Sequence, residues 1–150
     1  MEKSRNYDIE RLAGDGKLES LKKLLDSNFT QSEIDIALSN ALAYSQIKTA
    51  KYLISLGANI SREDFDGVYY AVHNDELKGL MYSISQGVDI NVKNGMILNT
   101  SIITATNTKN IDMTKWILSN GGDINLLTKD SIDLVKRYGT DELKELIQNA

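Results

Sequence analysis

Cysteine and proline are absent from this chain of 150 residues, and histidine occurs once, at His73. Without cysteine the chain can form no disulfide and no thiolate metal site, and it has no cysteine nucleophile. A single histidine excludes a histidine-rich metal site and leaves one candidate base for a serine–histidine–aspartate centre. Because proline is missing, the breaks between secondary-structure elements must come from glycine, asparagine, aspartate and serine.

Strong charge of either sign and long apolar runs are also missing. The net charge is −4, with 9 basic and 12 acidic side chains in residues 1–75, and 8 and 9 in residues 76–150. Nucleic-acid binding depends on clustered lysine and arginine, so we expect no direct nucleic-acid binding. No apolar run approaches the roughly 20 residues that span a bilayer, and the opening MEKSRNYDIE lacks the apolar core of a signal peptide. We therefore expect no membrane binding and a cytoplasmic location, in the source cell or, for an effector or viral protein, in its host.

A repeated ending is the clearest positive feature of the sequence. Three segments share an aromatic residue, an apolar pair or near-pair and a glycine: YLISLGANIS (52–61), YSISQGVDIN (82–91) and WILSNGGDIN (116–125). Their first glycines, Gly57, Gly87 and Gly121, are 30 and 34 residues apart. A glycine just after an apolar helical run is the usual left-handed helix cap, because it adopts positive φ without a Cβ clash. Each ending is therefore predicted to close a helix.

Other positions align with these glycines. An alanine lies sixteen residues before each one, at Ala41, Ala71 and Ala105, and an aliphatic residue lies three residues before each alanine. The same template fits both ends of the chain, so we predict a single domain, 1–150, of five units: 1–28, 29–57, 58–87, 88–121 and 122–150. Each unit reads as a short helix, a polar loop, a slightly longer helix and a capped turn. The small alanine lets a neighbouring helix approach closely, so that consecutive units can stack.

These positions resemble the pattern of ankyrin-repeat proteins, T-P-L-H-x-A-A-x-x-G-H-x-E-V-V-x-L-L-L-x-x-G-A-D-V-N, which recurs with a period near 33 residues. In the fourth unit the matching residues are Thr100, Ile102, Ala105, Asp112, Met113, Ile117, Leu118, Gly121, Asp123, Ile124 and Asn125. The resemblance implies an all-α fold, an ankyrin-type helix-pair solenoid with short β-turn or hairpin connections. A rival is a tetratricopeptide array, but its 34-residue spacing fits only the fourth unit and its motif lacks the GxDIN ending.

The chain also departs from the ankyrin pattern. No Thr-Pro starts the first helices, and the histidine of T-P-L-H is replaced by Ser39, Tyr69 and Ile103 in the central units. Units two and three are about three residues short in the connection that forms a β-hairpin finger in the family. We expect only the longer connection, residues 90–100, to have room for a full finger.

The resemblance implies a protein-binding module whose contacts come from the turns and from the concave side of the first helices. The positions that match are Tyr44, Arg62, Glu63, Asp64, Phe65, Tyr70, His73, Asn74, Lys93, Asn94, Met96, Ile97 and Asn107. Tyrosine is enriched in binding hot spots, and we expect Tyr44 and Tyr70 to be exposed. The sequence does not decide whether Tyr69 and Phe65 lie in the core or at the surface.

Two further groups of residues, one apolar and one aromatic, have predicted positions. Met96 and Ile97 fall at a predicted turn tip, where either the finger folds back on the core or, as we favour, they contact a partner. The aromatic residues Tyr52, Tyr82 and Trp116 recur at one register of the second helix, which predicts packing within or between repeats.

No metal-ligand spacing, phosphate-binding loop or nucleophile motif occurs, so we predict no catalysis and no cofactor. The leading hypothesis is a monomeric array that binds another protein as an inhibitor, an immunity or antitoxin-like protein, an anti-defence protein or an adaptor. The bias towards isoleucine, asparagine, lysine, serine and tyrosine favours a bacterial or viral source. One alternative is an acidic nucleic-acid mimic that blocks a nucleic-acid-binding partner through Glu63, Asp64, Asp66, Asp75 and Glu76. The other is a passive scaffold, against which the polar ends of the chain, typical of capping repeats, argue.

Overall fold

A computed structural model describes residues 2–26 and 28–150, and within those ranges all regular secondary structure is helical. The α-helices are α1 Glu2–Gly14, α2 Leu18–Leu25, α3 Gln31–Ala43, α4 Ile47–Ser55, α5 Arg62–His73, α6 Leu77–Ser85, α7 Val92–Thr108, α8 Asp112–Ser119, α9 Lys129–Tyr138 and α10 Asp141–Gln148, with a short 3-10 helix at Ile124–Leu126. Successive helices form pairs that are joined by turns of two or three residues. The predicted all-α, helix-pair fold class is confirmed.

The glycine caps are also confirmed. Gly57, Gly87 and Gly121 have φ values of +97°, +97° and +98°, in the left-handed region that favours glycine. At the first of these turns the Gly57 N–H donates to the carbonyl oxygen of Ile54 at 2.9 Å, and the Ala58 N–H donates to that of Leu53 at 3.0 Å. Carbonyl groups that the helix end leaves unpaired are satisfied in this way.

The β-hairpin finger predicted at residues 90–100 is wrong. Helix α7 begins at Val92, and Lys93, Asn94 and Gly95 form a left-handed turn with φ values of 53°, 56° and 89° before the regular helix continues to Thr108. The added length of the fourth unit lies in this helix, since α7 has 17 residues and α5 has 12. A helix satisfies its hydrogen bonds within one segment, whereas an isolated two-stranded hairpin is marginally stable in water.

Contacts between residues divide the chain into two compact units. The N-terminal unit comprises Met1–Ala71 and Glu76–Ser83, and the C-terminal unit comprises Val72–Asp75 and Ile84–Ala150. The division into five repeats within one domain stays a prediction.

In the N-terminal unit, α3 packs against α1 and α4 around a core of buried leucine, isoleucine and alanine side chains. Two glycines allow close packing on α3. A Cβ added at Gly67 would lie 2.8 Å from the Cα of Ser39, and one at Gly79 would lie 2.2 Å from the carbonyl oxygen of Leu42. Hydrogen bonds reinforce both approaches, from Ser39 Oγ to Asp66 at 2.6 Å and from the Gly79 N–H to Ser45 Oγ at 2.9 Å.

The aromatic residues at one register of the second helices pack as predicted at two of three positions. Tyr52 and Tyr82 are half-buried against the core of the N-terminal unit. The Lys22 ammonium lies 5.2 Å from the centre of the Tyr52 ring, and burial raises the pKa of Tyr82. Trp116 is half-buried in the C-terminal unit.

The C-terminal unit is built on α7, which packs against α8 and α9. Ile102, Ala105 and Val135 belong to its core. The Asn99 side chain joins α7 to the segment before α9: its Nδ2 donates to the carbonyl oxygen of Leu126 at 2.9 Å, and its Oδ1 accepts from the Thr128 N–H at 2.9 Å.

Candidate functional site

The N-terminal unit exposes several tyrosine rings. Tyr7 is 64% exposed, Tyr44 is 52% exposed and Tyr70 is 47% exposed. The predicted exposure of Tyr44 and Tyr70 is confirmed. Exposed aromatic rings are costly to leave in water and are enriched in the hot spots of protein interfaces, so these rings mark the candidate site.

Tyr7 and Tyr44 border one pocket of about 270 Å³, which we call the tyrosine pocket. Its lining residues are Tyr7, Glu10, Arg11, Gly14, Asp15, Asn40 and Tyr44. Helices α1 and α3 pack side by side and hold the two walls. The ring of Tyr44 lies over Gly14, where an added Cβ would be 3.1 Å from its Cδ2. A side chain at residue 14 would therefore require the Tyr44 ring to shift by a few tenths of an ångström.

Polar contacts join α1, which carries Tyr7, to α3 and to the turn after it, which carries Tyr44. Arg5 on α1 donates from Nε to Glu33 on α3, and this hydrogen bond is the main cause that lowers the pKa of Glu33. Gln46, after α3, donates from Nε2 to the carbonyl oxygen of Gly14 at 3.0 Å. Because both contacts join α1 to the α3 region, they fix the separation of the pocket walls.

The pocket is electrostatically mixed. Arg11 lies 3.8 Å from the Asp8 carboxylate, and both side chains are nearly half exposed. An ion pair at this exposure contributes at most about 1 kcal/mol, so Arg11 can exchange Asp8 for a partner's carboxylate at little cost. Glu10 and Asp15 offer acceptors to basic or polar groups on the same rim.

A second group of predicted site residues lies at the start of α5 and along it. Tyr69 is 36% exposed, and its ring meets that of Tyr70 edge to face at 5.1 Å. Phe65 is half-buried in a left-handed turn with φ 66°. The sequence left open whether these two residues are core or surface. Tyr69 lies at the surface, and Phe65 lies between core and surface.

The polar residues of this turn divide into two kinds. Glu63 and Asp64 are exposed. Arg62 is half-buried and pairs with Asp66 at 2.9 Å, and Asp66 also accepts from Ser39. Arg62 therefore has a structural contact within the chain, and Glu63 and Asp64 are accessible to solvent.

In the C-terminal unit the structure places most predicted residues at the surface. His73, Asn74, Lys93, Asn94 and Asn107 are exposed. Met96 is half-buried and lines a groove of about 350 Å³ beside α9, together with Ile103 and Leu134.

The prediction for Ile97 is wrong. Its side chain is 0% exposed and lies inside α7 rather than at a turn tip. A helix in place of the predicted finger turns Ile97 into the core, where it cannot contact a partner.

The acidic cluster does not present five available carboxylates. Asp66 accepts from Arg62 and Ser39, and Asp75 accepts from the Asn110 side chain at 3.1 Å. These bonds within the chain count against the nucleic-acid-mimic hypothesis.

Sequence reasoning missed Tyr7, Glu10 and Arg11. The apolar pattern of α1 could have identified them, because Ile9 and Ala13, one turn apart, are both buried. Residues 7, 10 and 11 lie away from that buried stripe on a helical wheel. The missing information is the position of Tyr44, which only the packing of α3 on α1 brings to the same pocket.

No family model matches the chain. Over 135 residues, 89% of the chain, it is 27% identical to a protein of Acanthamoeba polyphaga mimivirus whose name describes it as an ankyrin repeat protein, L72. The chain spans about a third of that relative's length, 34%. Among the described residues, no helix is both long enough and apolar enough to cross a bilayer. The helix pairs, the left-handed glycine turns and this similarity together support ankyrin-like repeats and, in general terms, a protein-interaction module.

Proposed function

We propose that this chain is a non-catalytic ankyrin-repeat module that binds another protein, with the tyrosine pocket as its principal contact. The observation that carries the proposal is that Tyr7 and Tyr44, both more than half exposed, line the same pocket. A tyrosine ring supplies a large contact area for little loss of conformational entropy, and its hydroxyl group can form a hydrogen bond.

The composition of the pocket fits recognition of a protein surface. Its rim combines two aromatic rings, an arginine, two carboxylates and an amide. Interface centres are enriched in tyrosine and arginine, and their rims are polar. The pocket is shallow and offers both signs of charge, which favours a folded or extended polypeptide with mixed side chains.

A module of this kind acts by occupying a surface of its partner. The biological roles that follow are those of an inhibitor, an immunity or antitoxin-like protein, an anti-defence protein or an adaptor. The similarity to a mimivirus protein favours a viral setting among the bacterial and viral sources that the composition indicates. In that setting the chain would work as a monomer in the cytoplasm of the infected cell.

The test is affinity capture from the source cell and its natural host, followed by mass spectrometry. The double variant Tyr7→Ser/Tyr44→Ser removes both pocket rings without filling the pocket. We expect it to lose a partner that the unaltered chain captures in stoichiometric amount, while its circular dichroism spectrum stays helical.

Two variants serve as comparisons. Tyr138→Ser removes an equally exposed tyrosine at the end of α9 that does not line the pocket. Tyr69→Ser/Tyr70→Ser removes the edge-to-face pair on α5. A partner that survives the pocket variant but is lost with the α5 variant would move the binding site to α5, and a partner lost with Tyr138→Ser alone would move it to the C-terminal unit.

A further inference from the structure

The last helix pair differs from earlier pairs at positions that those pairs bury. The units can be compared by counting from the turn between their two helices, at Ser45, Asp75, Lys109 and Gly139. Seven residues before this turn lie Leu38, Val68, Ile102 and Ile132. The first three are fully buried, but Ile132 on α9 is 39% exposed.

Two further positions change from buried to charged. Three residues before the turn, Leu42, Val72 and Thr106 are buried, whereas Lys136 is exposed. Five residues after the turn, Ala50, Leu80 and Thr114 are fully buried, whereas Lys144 is exposed. The same three positions of the last unit thus carry one isoleucine and two lysines on an open face.

These residues surround a groove of about 310 Å³ between α9 and α10, which we call the terminal groove. It is lined by Ile132, Val135, Lys136, Lys144, Ile147 and Gln148. Its floor is apolar and both charges on its walls are positive. Within residues 2–26 and 28–150 neither lysine forms an ion pair, although acidic side chains outnumber basic ones in the chain, 21 to 17.

The terminal groove combines apolar and basic side chains. Ile132 and Ile147 supply apolar surface, and Lys136 and Lys144 supply positive charge. Lysine stems can line an apolar groove while their ammonium groups stay in water, and there they are placed to meet the carboxylates of a bound segment.

The occupant of the equivalent face in the preceding unit is a helix. In the C-terminal unit α9 packs on α7, and Val135 of α9 joins Ile102 and Ala105 in one core. The terminal groove is formed by residues at the equivalent repeat positions, so it is shaped for an α-helix. Its two lysines select acidic residues on that helix.

We propose that the terminal groove docks an amphipathic α-helix of a partner protein. That helix would carry apolar residues one turn apart, which cover Ile132 and Ile147, and flanking glutamate or aspartate residues, which pair with Lys136 and Lys144. The groove shares no residue with the tyrosine pocket, so each site can be lost without the other.

The test uses two synthetic fluorescein-labelled helical peptides. One carries leucine at i, i+4 and i+7 with glutamate on both flanks, and the other has every glutamate replaced by lysine. Fluorescence anisotropy with the full chain measures both affinities. We expect saturable binding of the glutamate peptide and about tenfold or greater preference over the lysine peptide.

Variants of the full chain connect this preference to the groove. Lys136→Glu/Lys144→Glu should reverse it, and Ile132→Ser should weaken the glutamate peptide about tenfold. The charge-matched control Lys48→Glu/Lys51→Glu, on the exposed face of α4, should leave binding unchanged. Retained binding by the Tyr7→Ser/Tyr44→Ser variant shows that this site does not depend on the tyrosine pocket.

Three results would overturn the proposal. One is the absence of saturable binding, or equal binding of both peptides. A second is binding of sodium laurate, but not of either peptide, that disappears in Ile132→Ser, because the groove would then hold an anionic amphiphile. The third is sedimentation of the chain as a dimer that Ile132→Ser converts to monomer, because a second copy would then occupy the groove.

Discussion

The Asn91 side chain holds the Gly121 turn from both sides. Its Nδ2 donates to the carbonyl oxygen of Gly121 at 3.0 Å, and its Oδ1 accepts from the Asp123 N–H at 2.8 Å. In the N-terminal unit two side chains do the same for the Gly57 turn: Gln31 donates to the Gly57 carbonyl oxygen, and Asp35 accepts from the Asn59 N–H. At these two turns, polar side chains from the first helix of the same unit or the residue before it thus hold the left-handed glycine turn.

Replacing Asn91 should destabilise the chain. Asn91→Ala removes two hydrogen bonds to backbone groups at a partly exposed site, and we expect a loss of about 1–2 kcal/mol in the free energy of unfolding. Urea denaturation followed by circular dichroism measures it. Asn120→Ala is the matched control, because Asn120 follows α8 directly and its side chain makes a local bond, from Nδ2 to the carbonyl oxygen of Trp116. An equal loss in both variants would show that the turn does not depend on Asn91.

The glycine caps allow a test of backbone conformation without a packing change. An added Cβ at Gly57 or Gly87 meets no atom within 4 Å, so alanine there changes only the cost of φ +97°. Gly57→Ala and Gly87→Ala should each lower the free energy of unfolding by about 1–2 kcal/mol. Gly57→Asn should cost less, because asparagine tolerates left-handed backbone better. If an alanine variant has unchanged stability in thermal denaturation, the turn relaxes to accommodate the added Cβ.

Neighbouring residues of α7 should respond very differently to substitution. Ile97 is fully buried, and Ile97→Ala should cost about 2–5 kcal/mol. Met96 is only half-buried, and Met96→Ala should cost roughly 1 kcal/mol. Chemical denaturation of the two variants compares them directly. Similar small losses would restore the turn-tip hypothesis for both residues.

The contact between Arg5 and Glu33 makes stability depend on pH in the acid range. The hydrogen bond from Arg5 holds the pKa of Glu33 below its usual value in the folded state. Since the folded pKa is depressed, this contribution is fully present above the unfolded pKa and is lost as pH falls through the folded pKa.

Glu33→Gln tests this linkage. Glutamine can still accept from the Thr30 N–H in the capping box of α3, but it cannot pair with the Arg5 charge. Near neutral pH the variant should be about 1 kcal/mol less stable than the unaltered chain, and the difference should shrink below the usual glutamate pKa. Thermal denaturation at several pH values measures it. A difference that stays constant down to low pH would rule out the ionised pair as its source.

Sequence reasoning succeeded at positions where a residue type is favoured for one dominant physical reason. A glycine after an apolar helical run requires positive φ, so the caps could be located from spacing alone. The buried alanines and aliphatic residues followed from the same register. It failed at residues 90–100, because four additional residues are compatible with either a hairpin or another helical turn. Local pattern does not choose between these, and the choice decides whether Ile97 meets solvent or the core.

By itself the sequence determined the helical repeats, their capped turns and the exposure of Tyr44 and Tyr70, since these depend on short-range periodicity and backbone preference. Only the tertiary structure decided which exposed residues form sites. Tyr7 and Tyr44 are 37 residues apart in the chain and share a pocket because α1 packs on α3. Ile132 has the same aliphatic character as Ile102, yet one is open and the other buried. Burial depends on which helix covers a face, and that is a property of packing between helices.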